Sequence, residues 1–379
     1  MVKEFDNPMR RQAYSIPELI REQYDLMEPR IREALSFEEI FSLQHIIITG
    51  CGDSMAAGMA VKQSFEKLTG LPIDVLPAID VARFFPKKRV GNAPNCPLVI
   101  TVSNSGRVSR VKEAIMRMNE LGGLTLGLTS GKGTPLGSVC QKVIDTSIPS
   151  FESAPGVRGY LASLEALLLL AIRIGEVRGR YTMDQANLYR KDIKKCPEKL
   201  AETIEAVDDK VYAIAQKWEN FGGFDYVSSG LDYGSAWYGH CKMIEAAGKY
   251  AMHINTEEWL HLNFFLKDVN TTGTVVVADD ENAAMGRTKE ALKYMQIMKR
   301  PLMVVTDAEG LDISDESYIL VPKTDFDITS PFMFFIPLAL LAGYIGKMSG
   351  EPYSRGFRDN WAFAEDASAI WQSEIEIVK

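Results

Sequence analysis

Two short turns in this 379-residue chain are rich in the groups that hold an anion. One is Thr101-Val102-Ser103-Asn104-Ser105-Gly106, which leads from an apolar segment into a helical one. The other is Gly50-Cys51-Gly52-Asp53-Ser54. Hydroxyls, an amide, glycines and a helix N-terminus suit an anion, because free backbone N–H groups point outward there and the helix dipole favours negative charge. Ser54, Ser103, Asn104 and Ser105, with backbone donors about Gly52, are the candidate ligands. A serine ahead of a helix most often caps it, and each turn alone has that plain explanation. Two such turns after neighbouring strands argue for a ligand. Neither has a Walker lysine or the dinucleotide glycine spacing, which disfavours a nucleotide.

The chain has only four histidines. His45 opens an apolar strand, His240 lies on a helix, and His253 falls in a short strand. His261 ends the run Thr256-Glu257-Glu258-Trp259-Leu260-His261, whose Glu-x-x-His spacing puts Glu258 and His261 on one helix face. A lone histidine is usually structural, and no second histidine stands at metal-ligand spacing, so no metal and no cofactor are expected. The five cysteines, Cys51, Cys96, Cys140, Cys196 and Cys241, are too scattered for a disulfide framework or a zinc site, which points to a reducing cytoplasm.

These residues need a frame, and the chain alternates strand and helix patterns. Apolar β-branched runs at His45–Thr49, Ile73–Leu76, Pro97–Val102, Leu124–Leu128 and Val143–Thr146 read as strands. Helical stretches over Met55–Leu68 and Val108–Leu121 separate them. After a long polar helical region, about 184–218, the rhythm returns with strands at Tyr226–Ser229, Thr274–Ala278, Leu302–Val305 and Tyr318–Val321 and helices at Ser235–Ala247 and Ala283–Met298. The shared order of strand, glycine turn, helix and strand makes the two rounds copies of one unit. The expected fold is α/β, two tandem domains, each a mostly parallel sheet with helices on both faces. The domains are expected at 36–183 and 184–350, after a helical segment 1–35 and before a tail 351–379. In the second copy the loop matching Ser103–Gly106 is Asp279-Asp280-Glu281-Asn282, whose acids would repel a phosphate. Only the first copy suits one.

With 46% hydrophobic and 24% charged residues, the composition is that of a soluble globular protein. A net charge of −8 excludes a general nucleic-acid binder, which needs a basic excess. The start, MVKEFDNPMRRQ, is charged and has no apolar core, so no signal peptide is expected. The apolar stretch Pro331–Ile345 is shorter than a span requires and contains Pro337, so it reads as a buried helix and no membrane association is expected.

The motifs CGDS (Cys51–Ser54) and PLVITVSNSG (Pro97–Gly106), followed by a long apolar helix after Gly156, resemble the sugar isomerase (SIS) domain family. Over about residues 40–350 the tandem arrangement is similar to the isomerase half of glucosamine-6-phosphate synthases and to fructosamine-6-phosphate deglycases. The resemblance implies a phosphate-binding role for Ser54, Ser103, Asn104 and Ser105. The synthases carry Glu-Thr after this motif where Arg107-Val108 stands here, so Ser109 is the hydroxyl at hand to replace the threonine. Arg107 suits either a carboxylate on a larger substrate or plain solvation. The family also pairs its Glu-x-x-His with a catalytic glutamate sixteen residues earlier, which lands on Glu245. Amid Met243, Ile244, Ala246 and Ala247, that carboxylate is expected to be partly desolvated, with a raised pKa useful for a general base. By resemblance, Glu245 moves a carbon-bound proton and His261 serves the ring or carbonyl oxygen, with Glu258 a possible substrate contact. The resemblance implies sites at the interface of a homodimer or higher homo-oligomer. The synthases' tail lysine has no counterpart near Gln372, and no glutaminase domain is present, so ammonia delivery from glutamine is not expected. The expected function is a deglycase that splits a phosphorylated fructosamine-type (Amadori) compound into sugar 6-phosphate and an amine. The alternatives are an aminosugar-phosphate deaminase-isomerase, a ketose–aldose isomerase, or a non-catalytic phosphosugar sensor.

Overall fold

The computed structural model describes residues 5–353 and 368–378. Its order begins with α1 (Pro8–Tyr14), α2 (Ile16–Ala34) and α3 (Phe37–Ser42). The first round follows as β1 (His45–Gly50), α4 (Asp53–Thr69), β2 (Ile73–Pro77), β3 (Pro97–Val102), α5 (Ser109–Glu120), β4 (Leu124–Thr129), β5 (Lys142–Asp145) and α6 (Arg158–Val177). After α7 (Met183–Trp218) come β6 (Gly223–Val227), α8 (Tyr233–Ala247), β7 (Tyr250–Ile254) and α9 (Thr256–His261). The chain then runs through β8 (Thr272–Ala278), α10 (Met285–Ile297), β9 (Leu302–Thr306), β10 (Tyr318–Leu320), α11 (Pro331–Met348) and α12 (Ser368–Trp371). Every strand anticipated from the apolar runs forms. The short run after Tyr250 forms too.

The strands make two five-stranded sheets, ordered β2-β1-β3-β4-β5 and β10-β9-β8-β6-β7. Every strand pair is parallel. Read from the opposite edge, the second order is the first repeated, so the two rounds are the same α/β unit. Parallel strands buried on both faces read as continuous apolar runs, and β3 and β8 are buried at every position.

The chain divides into two compact units that interleave along the sequence. One holds the first sheet and comprises 19–149, 159–194 and 368–378; the other holds the second sheet and comprises 5–18, 150–158 and 195–353. In the second-sheet unit α11 packs on α8 and α1. The apolar stretch extends further than its sequence suggested: Asp327–Met348 is long and apolar enough to cross a membrane, yet the apolar body of the helix, Pro331–Gly346, is buried in the protein. Pro337 lies inside the helix without ending it. Helix α8 lies close on β6 because of Gly239, where an added Cβ would come within 2.4 Å of the Tyr226 ring.

In both sheets the order reverses direction between the first and third strands of the unit, so neighbouring loops diverge there and leave a crevice at the strand C-termini. In the second sheet the protein fills that crevice itself. One carboxylate oxygen of Asp232 accepts from the Asp279 N–H at 2.8 Å and the Asn282 side-chain amide at 2.7 Å. Its other oxygen is buried without a hydrogen-bond partner among the described residues. Asp307 accepts the Asp280 N–H at 2.7 Å. Burial pushes the Asp232 carboxyl up to about 7 and that of Asp279 up to about 6, and it raises Asp307. Lys323 pairs with the outer acids Asp280 and Glu281.

Two outcomes follow from this packing. Gly239→Ala forces a methyl into the Tyr226 ring, and thermal melts should show a loss of roughly 1–3 kcal/mol, the cost of overpacking. Asp232 titrates higher in the fold than in the unfolded chain, so its stabilising contribution is complete below about pH 4 and is lost as pH rises through its folded value. Asp232→Asn keeps the acceptor and removes the charge. Denaturant titrations should find it more stable than the native chain by roughly 2 kcal/mol near pH 8, with the gain vanishing towards pH 4.

Candidate functional site

The matching crevice of the first sheet is built differently. Strands β1 and β3 are neighbours with Thr49 opposite Thr101, so the turns that follow them share one edge. They approach so closely at Gly50 that a Cβ there would meet Ser54 Cβ at 2.7 Å and the Val102 carbonyl oxygen at 3.0 Å. Gly52 turns the chain with φ 54° and ψ −124°, a conformation that L side chains rarely adopt. Gly106 has φ 62°, and a Cβ on it would lie 2.5 Å from Thr134. Its N–H closes back on the Ser103 carbonyl and its own carbonyl accepts from Leu136 N–H. The loop after β4 clamps Asn104, whose carbonyl accepts from both the N–H and the hydroxyl of Ser130. The loop is therefore held chiefly by its backbone.

The plain explanation, that these serines cap their helices, does not hold. The N-cap of α4 is Gly52 and that of α5 is Val108, and neither helix has a side-chain cap. In α5 the helical ladder opens with Lys112 N–H bonding to Val108, which leaves the N–H groups of Ser109, Arg110 and Val111 outside it. Ser105 Oγ accepts the Arg107 N–H at 3.3 Å. The hydroxyls of Ser54, Ser103 and Ser109 are not used in hydrogen bonds among the described residues. Ser103 and Ser109 are nonetheless 5% exposed, so their donors sit in a partly dry crevice. Gly52, Ser54, Ser103, Asn104, Ser105, Arg107 and Ser109 thus gather about one strand edge of one unit.

Glu245, Glu258 and His261 lie in the other unit. Glu245 is near the end of α8, and its surroundings correct the sequence expectation. The side chain is 43% exposed, since Met243, Ala246 and Ala247 face the core while Ile244 and Glu245 face outward. The apolar neighbours in sequence do not desolvate it. What holds it is Lys242, one turn earlier, whose ammonium donates to the carboxylate at 2.5 Å. The Lys242 side chain is fully buried and lies over the Tyr238 ring, 5.4 Å from its centroid. A lysine among the apolar positions of a helix, three residues before an acid, is the mark this pair leaves in the sequence. A buried ammonium requires a partner, so the pair fixes where the carboxylate stands.

His261 closes α9 and is 66% exposed. Its imidazole meets Glu257 at 3.0 Å, one turn back, and not Glu258. Glu257 is held in turn by Arg287 at 2.7 Å, and these two contacts, that of Arg287 foremost, keep its carboxyl below the usual range. Glu258 gives its N–H to the Asn255 cap and leaves its side chain exposed. No hydrogen bond or ion pair among the described residues joins His261 to Glu245. No group of three or more His, Cys, Asp or Glu among the described residues is placed to hold a metal.

Known proteins share this fold. Residues 39–173 match the SIS domain family. The chain is 26% identical over 360 residues to a glutamine–fructose-6-phosphate aminotransferase (isomerizing) of Gloeobacter violaceus, covering 91% of this chain and 56% of that protein. A second such enzyme, from Haemophilus influenzae, is 25% identical over 81% of the chain and 50% of its own length. The chain therefore spans about half the length of these curated relatives. Among solved structures, the C-terminal domain of glucosamine-fructose-6-phosphate aminotransferase from Francisella tularensis superposes with a TM-score of 0.79 at 18% identity, covering 93% of this chain and 99% of that one. At that identity the likeness is one of fold. Over residues 39–173, a little over a third of its length, the chain is similar to the SIS domain family.

Proposed function

We propose that the chain is an enzyme that binds a small phosphorylated sugar in the first-sheet crevice and moves a proton on it with Glu245. The observation that carries this reading is the contrast between two crevices of one topology. The second is filled by Asp232, a carboxylate accepting a backbone N–H and an amide. The first keeps the hydroxyls of Ser54, Ser103 and Ser109 and the N-terminal N–H groups of α5 uncommitted among the described residues. Open donors beside a helix N-terminus suit a phosphate. The family match to residues 39–173 and the similar solved structures, which include a glucosamine-6-phosphate deaminase and a tagatose-6-phosphate ketose/aldose isomerase, support a phosphosugar as the ligand.

The reaction we favour is deglycation. The substrate is a phosphorylated Amadori compound, already carrying its amine at the carbon next to the carbonyl. Glu245, held by Lys242, takes a proton from the sugar carbon, and the electron pair passes into an enolamine. Reprotonation and hydrolysis of the resulting imine release the amine and leave a sugar 6-phosphate. His261 serves the oxygen atoms and reaches the site from a second copy, which makes a homodimer the working unit. Its exposure, and its pairing with Glu257 and not with Glu245, support this arrangement. A deaminase-isomerase or a ketose–aldose isomerase would use the same proton transfer, so the identity of the released group separates these readings.

Two experiments test the proposal. Ser103→Ala and Ser105→Ala should each weaken fructose 6-phosphate binding by about 1–3 kcal/mol in calorimetry, the scale of charge-assisted hydrogen bonds, whereas Asp280→Ala should leave it unchanged. Undiminished affinity in both serine variants would remove the phosphate assignment. Glu245→Gln should lower kcat by about 10²–10⁴-fold with phosphate affinity retained, and Lys242→Met should lower kcat by freeing the same carboxylate. His261→Asn should also be inactive. Mixing it with Glu245→Gln should restore about a quarter of native activity per site after random subunit exchange. No recovery, with exchange demonstrated, would place both groups within one chain's site.

A further inference from the structure

The segment 368–378 belongs to the first-sheet unit and runs along α5 as a strap. Three arginines fasten it. Arg110 donates to the Glu374 carbonyl at 3.3 Å and Arg117 to the Val378 carbonyl at 2.9 Å. Arg83 pairs with both Glu113 and Glu376, and Glu376 returns its N–H to Glu113 at 3.1 Å. Thus each arginine on this face has oxygen partners, except the one in the anion-suited loop. Arg107 follows Gly106 directly, its backbone N–H is taken by Ser105, and its guanidinium meets no carboxylate or carbonyl among the described residues. Its one contact is with the strap: the guanidinium carbon lies 5.1 Å from the centroid of the Trp371 ring.

A guanidinium stacked on an aromatic ring keeps its charge and its in-plane N–H groups free for a bidentate acceptor. Stacking also removes rotamer freedom from a long side chain, so less is lost when the acceptor arrives. We infer that Trp371 positions Arg107 as a carboxylate-binding cation beside the phosphate loop, so that the site selects phosphosugars joined to a carboxylate-bearing amine, such as an amino-acid adduct, over neutral adducts and plain sugar phosphates. This rests on the loop being the phosphate site. In a chain with net charge −8, an uncommitted cation beside that loop supplies the attraction for a second negative group that the protein as a whole does not.

The test compares three probes by calorimetry on the full chain, in a Glu245→Gln background so that none is consumed. They are fructose 6-phosphate, the 6-phosphate of N-(1-deoxyfructosyl)glycine, and the same adduct of glycinamide. The glycine adduct should bind about tenfold or more tighter than the glycinamide adduct, as expected for one bidentate charged pair. Arg107→Met should bring that ratio near one and leave fructose 6-phosphate unchanged. Trp371→Ala should shrink the ratio, and Trp371→Phe, which keeps a stacking face, should preserve it. An unchanged ratio in Arg107→Met overturns the inference. So does equal weakening of all three probes, which would make Arg107 a phosphate ligand. An unchanged ratio in Trp371→Ala overturns the positioning role. Failure of the underlying reading looks different: none of the probes binds, or Ser103→Ala affects none of them.

Discussion

A crevice lined by inward-pointing N–H groups has to receive a negative group or water, because buried donors left unpaired cost more than a hydrogen bond returns. Both sheets create such a crevice at the same topological point. The second sheet meets the requirement with its own chain, by turning Asp232 onto the Asp279 N–H and the Asn282 amide. The first leaves the requirement open, and its loop is kept in shape by backbone closures at Gly106 and Asn104. One scaffold therefore yields an open crevice in one copy and a filled one in the other.

The second unit places its chemistry on a helix face. Helix α8 is pressed on β6 at Gly239 and on α11, where a Cβ on Gly346 would meet the Ala246 carbonyl oxygen at 2.8 Å. Close packing on two sides leaves no slack in the backbone of α8. Lys242 then carries that rigidity outward, because its side chain is buried and its ammonium donates to the Glu245 carboxylate. An exposed glutamate on a helix end would ordinarily sample many rotamers. Here the core holds it by one ion pair.

Much of this was legible in the sequence, and for a definite reason. Parallel strands buried on both faces read as unbroken apolar runs, so β1, β3 and β8 announce themselves, and the glycine and serine turns after them mark the crevice. What was not legible depends on direction in space. The apolar neighbours of Glu245 suggested desolvation, but helical geometry turns Met243, Ala246 and Ala247 inward and Glu245 outward. The spacing of Glu258 and His261 suggested a pair, yet the imidazole found Glu257. Asp232 gave no sign of becoming the plug of the second crevice, since its partners at Asp279 and Asn282 are some fifty residues away. The strap on α5 depends on contacts between residues such as Arg107 and Trp371, which no local pattern joins.

The interleaving of the units bears on how the chain acquires its structure. The second-sheet unit includes α1, within the first fifteen residues, and α11, which ends at Met348, and the two pack on each other. During synthesis α1 must wait, through the whole of both sheets, for the apolar helix that completes its surroundings. A unit closed by its most distant parts has a high contact order, and such topologies fold slowly. The order of synthesis limits the hazard. Of the two helices that α11 packs on, both α1 and α8 precede it, so when this most apolar segment leaves the ribosome its resting place already exists.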